Sequence, residues 1–292
     1  MQVHKHNRRG CIESIRHCPV VYGRSVVIET FLAAQAELGE GPSWDATFDR
    51  LVWVDIVRGE VHGTTADGQD SLLWQTSGPT GFVAQQSPRA WYVAHRDRIA
   101  LVENWTTERE VASLGLPERV RINDGKLGPD GRLFFGTMNI EGSGTDGEFY
   151  RMESSGEIET LVDGIGISNG LCWKADSTQL FYIDTPTGRI DTFDFDAEHG
   201  AISNRSTVVQ FEPEWGSPDG MTILDDLLWV ACWGGWAVRA FSLDGQLAEV
   251  VQVPAMNPTS CTFGGDGRLY VTSALVDSSR TADDGSIFVV SL

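Results

Sequence analysis

The chain has 292 residues, of which 41 are acidic and 22 basic, so its formal net charge is −19. A surface this acidic is repelled by polyphosphate, which excludes nucleic acid as an expected partner. No apolar stretch of the sequence approaches the roughly 20 residues that span a bilayer, so we expect no membrane partner. The length leaves room for two average domains or for one large β-domain.

Residues 1–24 differ from the rest of the chain. They are basic, poor in apolar residues and without the hydrophobic region of a secretory signal. We interpret them as a disordered tail or an over-extended start, with a targeting segment as the alternative. A zinc site is the least favoured interpretation, because the spacing of the candidate ligands fits no known structural pattern. Those candidates are His4, His6, Cys11, His17 and Cys18.

The five cysteines are odd in number and form no CxxC pair. Three of them, Cys172, Cys232 and Cys261, lie in apolar strand-like runs, where a thiol behaves as a small buried hydrophobe. This usage indicates a reducing compartment, and we expect the protein in the cytoplasm.

From residue 25 onward the chain consists of short strand-like runs separated by turns. A unit of strand, turn and stronger strand recurs six times, at spacings of about 40 to 50 residues. The six units cover residues 39–56, 80–96, 123–138, 168–185, 218–233 and 257–274. This period is typical of four-stranded propeller blades, and no stretch between the units has helical periodicity.

The sequence therefore predicts an all-β fold, a six-bladed β-propeller formed by a single domain over residues 25–292. The last unit provides only three strands, ending with SIFVVSL (286–292), and the run SVVIETFL (25–32) can add the missing outer strand. Pairing of this N-terminal strand with the last blade would close the ring and remove open sheet edges. A large β-sandwich is the alternative, but it does not explain the regular spacing.

Four of the six units carry a carboxylate or carboxamide in front of a glycine near the start of the first strand, directly or, in Asn123-Asp124-Gly125, with one residue between. These side chains are Glu40, Asn123, Asn169 and Asp219. A lone Asn-Gly or Asp-Gly is usually a turn, but four at one phase of a ring would lie close together. Two carboxylates brought that close need a positive partner, and oxygen ligands suit Ca²⁺, Mg²⁺ or Mn²⁺ better than Zn²⁺. A polar channel filled only by water is the alternative.

Four motifs together resemble one family. They are GEGPSW (39–44), RINDGK (121–126) with GRLFFGTM (131–138), ISNGL (167–171) and SPDGM (217–221). In combination they resemble the regucalcin (senescence marker protein)/gluconolactonase family, over nearly everything from about residue 35 onward. The resemblance implies a six-bladed propeller that hydrolyses sugar lactones with one divalent metal ion, Ca²⁺ first among the candidates, at the channel mouth.

The resemblance also implies roles for individual residues. Glu40, Asn169 and Asp219 match the metal ligands of the family, and Asp219 also matches its proposed general base. Arg121 and Asn123 match residues that contact substrate hydroxyl groups.

A further substrate-binding glutamate follows the G-T-M strand in the family, and Glu141 is its natural match. The loop that begins there, EGSGTDGE (141–148), is shorter than in animal regucalcins, so Glu148 is the fallback. A short loop implies a more open pocket.

With these residues, the resemblance implies hydrolysis of an aldono-1,4- or 1,5-lactone to the open aldonic acid. The metal would polarise the carbonyl as a Lewis acid, and Asp219 would act as general base, with a hydroxide on the metal as the alternative nucleophile. Arg121 and Asn123 would orient the substrate. We expect a small-molecule sugar lactone as the partner of a monomer or a weak homo-oligomer.

Other functions stay open at this point. GISNG (166–170) matches the G-x-S-x-G nucleophile elbow, with Ser168 as nucleophile and His199 as a weak partner, but the flanking runs predict strand–turn–strand. The same metal ligands would serve a non-catalytic calcium-binding protein or an esterase or phosphotriesterase-like hydrolase. A scaffold of the WD-repeat type would show G-H and W-D signatures, which the repeats lack.

Overall fold

The computed structural model describes residues 26–275 and 281–292, and the expectations for residues 1–24 lie outside this part of the chain. The described residues form six four-stranded antiparallel sheets, which confirms the predicted six-bladed β-propeller. Two short 3-10 helices, Thr185–Thr187 and Pro213–Trp215, are the helices found there. No helix in the described ranges is long and apolar enough to cross a membrane.

The first three blades follow one another along the chain after the opening strand β1 (Val27–Leu32). Blade 1 contains β2 (Gly39–Asp45), β3 (Arg50–Asp55), β4 (Glu60–Thr65) and β5 (Asp70–Gln75). Blade 2 contains β6 (Val83–Ser87), β7 (Ala90–Ala94), β8 (Arg98–Glu103) and β9 (Thr107–Ser113). Blade 3 contains β10 (Val120–Leu127), β11 (Leu133–Asn139), β12 (Gly147–Met152) and β13 (Ile158–Ile165).

The remaining blades complete the ring. Blade 4 contains β14 (Ser168–Trp173), β15 (Gln179–Asp184), β16 (Arg189–Asp196) and β17 (Ala201–Gln210). Blade 5 contains β18 (Ser217–Leu224), β19 (Leu227–Trp233), β20 (Ala237–Ser242) and β21 (Leu247–Gln252). Blade 6 contains β22 (Pro258–Phe263), β23 (Leu269–Ser273), β24 (Ile287–Ser291) and, as its outer strand, β1.

The closing strand pairs as the sequence predicted. β1 runs antiparallel to β24, with Val27 opposite Ser291 and Thr30 opposite Phe288. The ring of Phe31 then packs edge-on against Tyr270, at 5.0 Å between ring centroids. The last blade is thus completed by residues from the other end of the described chain, which leaves no gap in the ring.

The core is a ring of six apolar clusters, one between each pair of neighbouring blades. Between blades 3 and 4, for example, the rings of Phe149 and Tyr182 lie 4.5 Å apart. Cys172, Cys232 and Cys261 are free thiols buried within these clusters, as their apolar runs predicted. Both faces of a blade are covered by its neighbours, so the second strands have continuous apolar sequences rather than alternating ones.

Candidate functional site

One mouth of the central channel opens into a cavity of about 330 Å³. Twelve side chains line it, three from each of blades 1, 3, 4 and 5. They are Leu38, Glu40 and Ile56; Arg121, Asn123 and Met138; Ile167, Asn169 and Thr185; and Ser217, Asp219 and Trp233. The four polar residues aligned in the sequence repeats therefore meet in one cavity.

The lining residues occupy the same three positions in each of these blades. In blade 5, Asp219 lies near the start of the innermost strand β18 and Ser217 lies two residues earlier. Because alternate strand residues point to one side, both reach the cavity. The third, Trp233, ends the neighbouring strand β19 and pairs with Ser217 in the sheet. Repeat symmetry thus builds the site from four copies of one local arrangement.

A break in strand register accompanies each of the four polar residues. The pairing of the innermost strand with its neighbour shifts at Glu40/Ser43, Ile122/Gly125, Asn169/Leu171 and Pro218/Met221. Such irregularities re-aim side chains and are common beside functional sites.

The glycines at this point of the innermost strands have two structural uses. The Gly41 N–H donates to Glu40 Oε2 at 2.8 Å, and the Gly125 N–H likewise donates to Asp124 Oδ1 at 2.7 Å. At Gly170, an added Cβ would lie only 2.5 Å from the Asp219 carbonyl oxygen, so two innermost strands approach closely here. The Asn-Gly and Asp-Gly pairs are therefore strand positions at the channel rather than turns.

The two carboxylates in the cavity are strongly perturbed. Burial raises the pKa of Glu40 to about 8, and the nearby charge of Asp124 adds to this rise. Burial, followed by the charges of Glu40 and Asp124, raises the pKa of Asp219 well above its ordinary value. Buried like charges in one cavity disfavour ionisation unless a cation lies between them. The cavity is thus a place where a positive charge is stabilised.

Arg121 supplies one such charge from the protein itself. Burial lowers the pKa of its guanidinium to about 10, while the charges of Glu40 and Asp219 oppose that effect. Its Nη1 donates to the Ile122 carbonyl oxygen at 3.0 Å. One guanidinium faces two carboxylates, so the local charge is not balanced by Arg121 alone.

A chain of hydrogen bonds fixes the two amides. Asn123 Nδ2 donates to the Ser168 carbonyl oxygen and to Asn169 Oδ1, both at 2.8 Å. Asn169 Nδ2 donates to Thr185 Oγ1 at 2.9 Å, and that hydroxyl donates to the Pro218 carbonyl oxygen at 2.8 Å. This series of hydrogen bonds links blades 3, 4 and 5 and orients Asn169 Oδ1 towards Asn123.

The donor set can be tested against the requirements of a metal ion. In the described part of the chain, no three His, Cys, Asp or Glu side chains form a cluster that could hold one. Glu40, Asp219 and the carboxamide of Asn169 nevertheless bring two carboxylates and an amide oxygen into one cavity. Asp219 Oδ1 is buried and has no hydrogen-bond partner. An orphaned carboxylate oxygen beside further oxygen ligands fits a hard cation.

Sequence alignment of the repeats missed half of the lining. Thr185 and Ser217 were not singled out for the cavity, nor was its apolar wall apart from Trp233. The members of that wall, besides Trp233, are Leu38, Ile56, Met138 and Ile167. The repeats contain the information needed to find them. The residue at the end of each second strand occupies an equivalent position in every blade, as the four polar residues do.

The structure does not bring Glu141 into the cavity lining. Glu141 is exposed in the turn after β11, where its N–H donates to Asn139 Oδ1 at 2.9 Å. The fallback Glu148 lies in β12, and its carboxylate accepts a hydrogen bond from Thr160 Oγ1 at 2.9 Å. A substrate role for Glu141 stays a prediction that this geometry does not support.

The nucleophile-elbow alternative is not favoured by the geometry. Ser168 begins strand β14 and is buried, and its Oγ accepts a hydrogen bond from Tyr182 at 2.8 Å. His199 is exposed in a turn and contacts Asp196 at 2.8 Å. A nucleophilic serine requires a strand-to-helix turn and a histidine within reach.

Comparison with known proteins finds relatives that match most of this chain. Residues 38–275 match the SMP-30/Gluconolactonase/LRE-like region, and this stretch contains all twelve lining residues. Regucalcin of Danio rerio is 33% identical over 266 residues, which cover 88% of this chain and 90% of that protein. A Bacillus subtilis (strain 168) protein whose name gives sugar lactone lactonase as its expected activity is 34% identical over 248 residues. That match covers 82% of this chain and 84% of the relative.

A solved structure is similar at the level of the whole fold. A calcium-binding protein, regucalcin, from Agrobacterium tumefaciens superimposes with a TM-score of 0.83 at 27% identity. The superposition covers 89% of this chain and 92% of that chain.

Proposed function

Because the chain belongs to the SMP-30/gluconolactonase/LRE-like family, we propose that it hydrolyses a sugar lactone to the open aldonic acid in the cavity of blades 1, 3, 4 and 5. The observation that supports this most is the convergence of Glu40, Asn169 and Asp219 beside Arg121, with a buried Asp219 oxygen left unpartnered. The substrate is an aldono-1,4- or 1,5-lactone.

The proposed cofactor is one divalent cation held by Glu40, Asn169 and Asp219. These ligands fit a hard cation, and Ca²⁺ is the first candidate because a similar structure is called a calcium-binding protein. Mg²⁺, Mn²⁺ and Zn²⁺ follow. When bound, such a cation supplies a Lewis acid for the lactone carbonyl.

The protein side chains account for the proton and for substrate orientation. Asp219 accepts a proton from water as the water oxygen bonds to the carbonyl carbon, and this proton then passes to the ring oxygen as its bond to that carbon breaks. The products are a carboxylic acid and a free hydroxyl group. Arg121 donates hydrogen bonds to the carbonyl oxygen as it gains negative charge. Asn123 contributes its Oδ1 to substrate hydroxyls, since its Nδ2 is already used.

The experiment is an assay of purified protein against a panel of aldono-1,4- and 1,5-lactones, after chelation and after addition of each cation. We expect hydrolysis that requires a divalent cation and falls by about 10²–10⁴ in Asp219→Asn, the range for loss of a positioned base. Asp225→Asn is the matched control, because Asp225 lies exposed in the turn of the same blade.

The outcomes of this assay distinguish the proposed lactonase from two alternative functions. Failure to hydrolyse any lactone with any cation would overturn the enzymatic proposal and leave calcium binding alone. Faster turnover of aryl esters or phosphotriesters than of every lactone would assign the neighbouring hydrolase class instead.

A further inference from the structure

The twelve side chains that line the cavity of about 330 Å³ form two layers. The inner ring consists of the four polar residues of the sequence repeats, Glu40, Asn123, Asn169 and Asp219. Further along the innermost strands, residues such as Ser43 and Thr222 line a second cavity, of about 490 Å³. The inner ring therefore lies between the second cavity and the other eight side chains, which form the outer ring on the side of the mouth.

The outer ring consists of residues that lie opposite each other on, or directly beside, the first two strands of a blade. Its four pairs are Leu38 with Ile56, Arg121 with Met138, Ile167 with Thr185, and Ser217 with Trp233. Every pair has an apolar member, and both members are apolar in blade 1. The inner ring is polar throughout, whereas the outer ring presents an apolar side chain from each of its four blades.

The polar members of the outer ring have few groups left for a substrate. The Thr185 hydroxyl donates to the Pro218 carbonyl oxygen at 2.8 Å and accepts from Asn169 Nδ2 at 2.9 Å, so its donor is used. Arg121 is assigned to the substrate carbonyl oxygen. Ser217 Oγ has no hydrogen bond to another described residue. Among the side chains of the outer ring, Ser217 is thus the one that remains to bind a substrate hydroxyl.

This distribution bears on the part of the substrate that is remote from the reaction. In the proposed reaction the lactone carbonyl lies near the inner ring, where Asp219 transfers the proton. The substituent on the far side of the lactone ring then lies in the outer ring, towards the mouth. A hydroxyl at its end would lose water without gaining a hydrogen-bond partner, whereas a methyl group there gains from burial against apolar side chains.

We propose that the outer ring selects lactones that end in a methyl group instead of a hydroxymethyl group, so that the substrate is a 6-deoxyaldonolactone. This inference rests on the proposed lactone hydrolysis and narrows its substrate class. In the 1,4-lactone of such a compound, one hydroxyl precedes the methyl group, and Ser217 is the side chain that bonds to it.

The test uses two pairs of 1,4-lactones whose members differ only in the terminal group. They are L-rhamnono- against L-mannono-1,4-lactone and L-fucono- against L-galactono-1,4-lactone. We expect kcat/KM to be about 10- to 100-fold higher for the 6-deoxy member of each pair that is hydrolysed, the range over which an apolar pocket discriminates against an added hydroxyl.

Met138→Gln tests whether the outer ring causes this preference. Met138 is buried in the outer ring, and glutamine has a similar length but brings an amide that can bond to a terminal hydroxyl. We expect the ratio of the two kcat/KM values to fall to within about threefold of unity, below the discrimination of an apolar pocket. The ratio is unaffected by a general loss of activity, because such a loss reduces both members of a pair.

Ile140→Gln is the matched control. Ile140 lies two residues further along the chain, is 54% exposed and does not line the cavity. We expect it to leave the ratio unchanged.

A binding measurement separates this inference from the proposed reaction. The cyclic ethers 1,4-anhydro-6-deoxy-L-mannitol and 1,4-anhydro-L-mannitol lack the carbonyl, so they can bind without being hydrolysed. We expect calorimetry to show tighter binding of the 6-deoxy ether to the parent, and a loss of this difference in Met138→Gln.

The inference is overturned if the hydroxymethyl lactones are hydrolysed as well as their 6-deoxy partners, or if Met138→Gln keeps the ratio of the parent. Should Met138→Gln not fold, Ile167→Gln decides by the same ratio, because Ile167 is a half-buried member of the outer ring. If the parent hydrolyses no lactone, the lactonase proposal fails, and the two ethers still decide on the outer ring: equal or weaker binding of the 6-deoxy ether overturns its selectivity.

Discussion

At the scale of single residues, Asn123 shows how the structure changes the meaning of a motif. The motif predicts a contact with substrate hydroxyls. The structure commits both Nδ2 hydrogens to neighbouring oxygens, one of them Asn169 Oδ1. Asn123 therefore orients a proposed metal ligand and keeps only its own oxygen for the substrate. Loss of a side chain that orients a metal ligand usually lowers the affinity for the metal.

Asn123→Ala should consequently impair cation binding as well as substrate use. We expect a loss of about 10- to 100-fold in Ca²⁺ affinity, the usual effect of removing a group that orients a ligand. The measurement is calorimetric titration of Ca²⁺ into the variant in the absence of lactone. Asn204→Ala is the control, since Asn204 is an exposed amide bonded to Asp194 on the outer strands of blade 4. An unchanged Ca²⁺ affinity in Asn123→Ala would show that Asn169 does not need this bond.

Prediction from sequence succeeded for residues that occupy equivalent positions in the six repeats. Glu40 and Asp219 lie 179 positions apart, yet the repeat alignment places them at one phase and the fold brings them into one cavity. Glu141 has no such support, because its position depends on the path of a turn rather than on strand register. Thr185 could have been found by aligning the second strands as well as the first.

At the scale of elements, the pairing inside a blade gives a structural role to His62. His62 of β4 stacks on Trp53 of β3, with ring centroids 4.3 Å apart, and its Nδ1 contacts Asp70 Oδ2 at 2.7 Å. Burial acts to lower the pKa of His62, but hydrogen bonds and charges from Asp70 and Glu60 outweigh it, so the pKa is raised. The histidine ties β5 to β4 and β3 in blade 1.

The raised pKa makes this contribution depend on pH. Unfolded histidine titrates near about pH 6.5, so the folded state holds its proton more tightly than the unfolded state. The stabilisation is fully present below that value and disappears as pH rises through the higher folded pKa. We expect His62→Gln to cost about 1 kcal/mol more at about pH 5.5 than at about pH 9, in the range of a partly exposed ion pair.

Denaturant unfolding at the two pH values measures this difference. His199→Gln provides the control, because His199 contacts Asp196 in an exposed turn and should contribute little at either pH. Equal losses for His62→Gln at the two pH values would show that only the stacking on Trp53 matters.

Strand assignment and blade closure were predictable because each blade repeats one pattern of turn and apolar strand. The pairing of β1 with β24 followed from a missing fourth strand and a spare apolar run. The register breaks in the innermost strands were not predictable. They depend on close approach between neighbouring blades, such as that of Gly170 to the Asp219 backbone, which only the assembled ring creates.

At the scale of the whole molecule, the ring collects charges from distant parts of the chain around one axis. The net charge of −19 favours the binding of cations in general. The fold is more specific, because it buries Glu40 and Asp219 together in a cavity that Arg121 does not neutralise. Most of the apolar lining was not anticipated, because its residues come from all four blades and resemble ordinary core positions in the sequence.

The central claim, that one cation held by Glu40, Asn169 and Asp219 supports lactone hydrolysis, is tested most directly by a titration. Chelated protein receives Ca²⁺ in steps, and bound cation and initial hydrolysis rate are measured on the same samples. We expect the rate to rise in proportion to bound Ca²⁺ and to reach its plateau at one equivalent, with Asn169→Ala requiring more Ca²⁺ for the same occupancy. A full hydrolysis rate before any cation is bound, or a rate unrelated to occupancy, would contradict the claim.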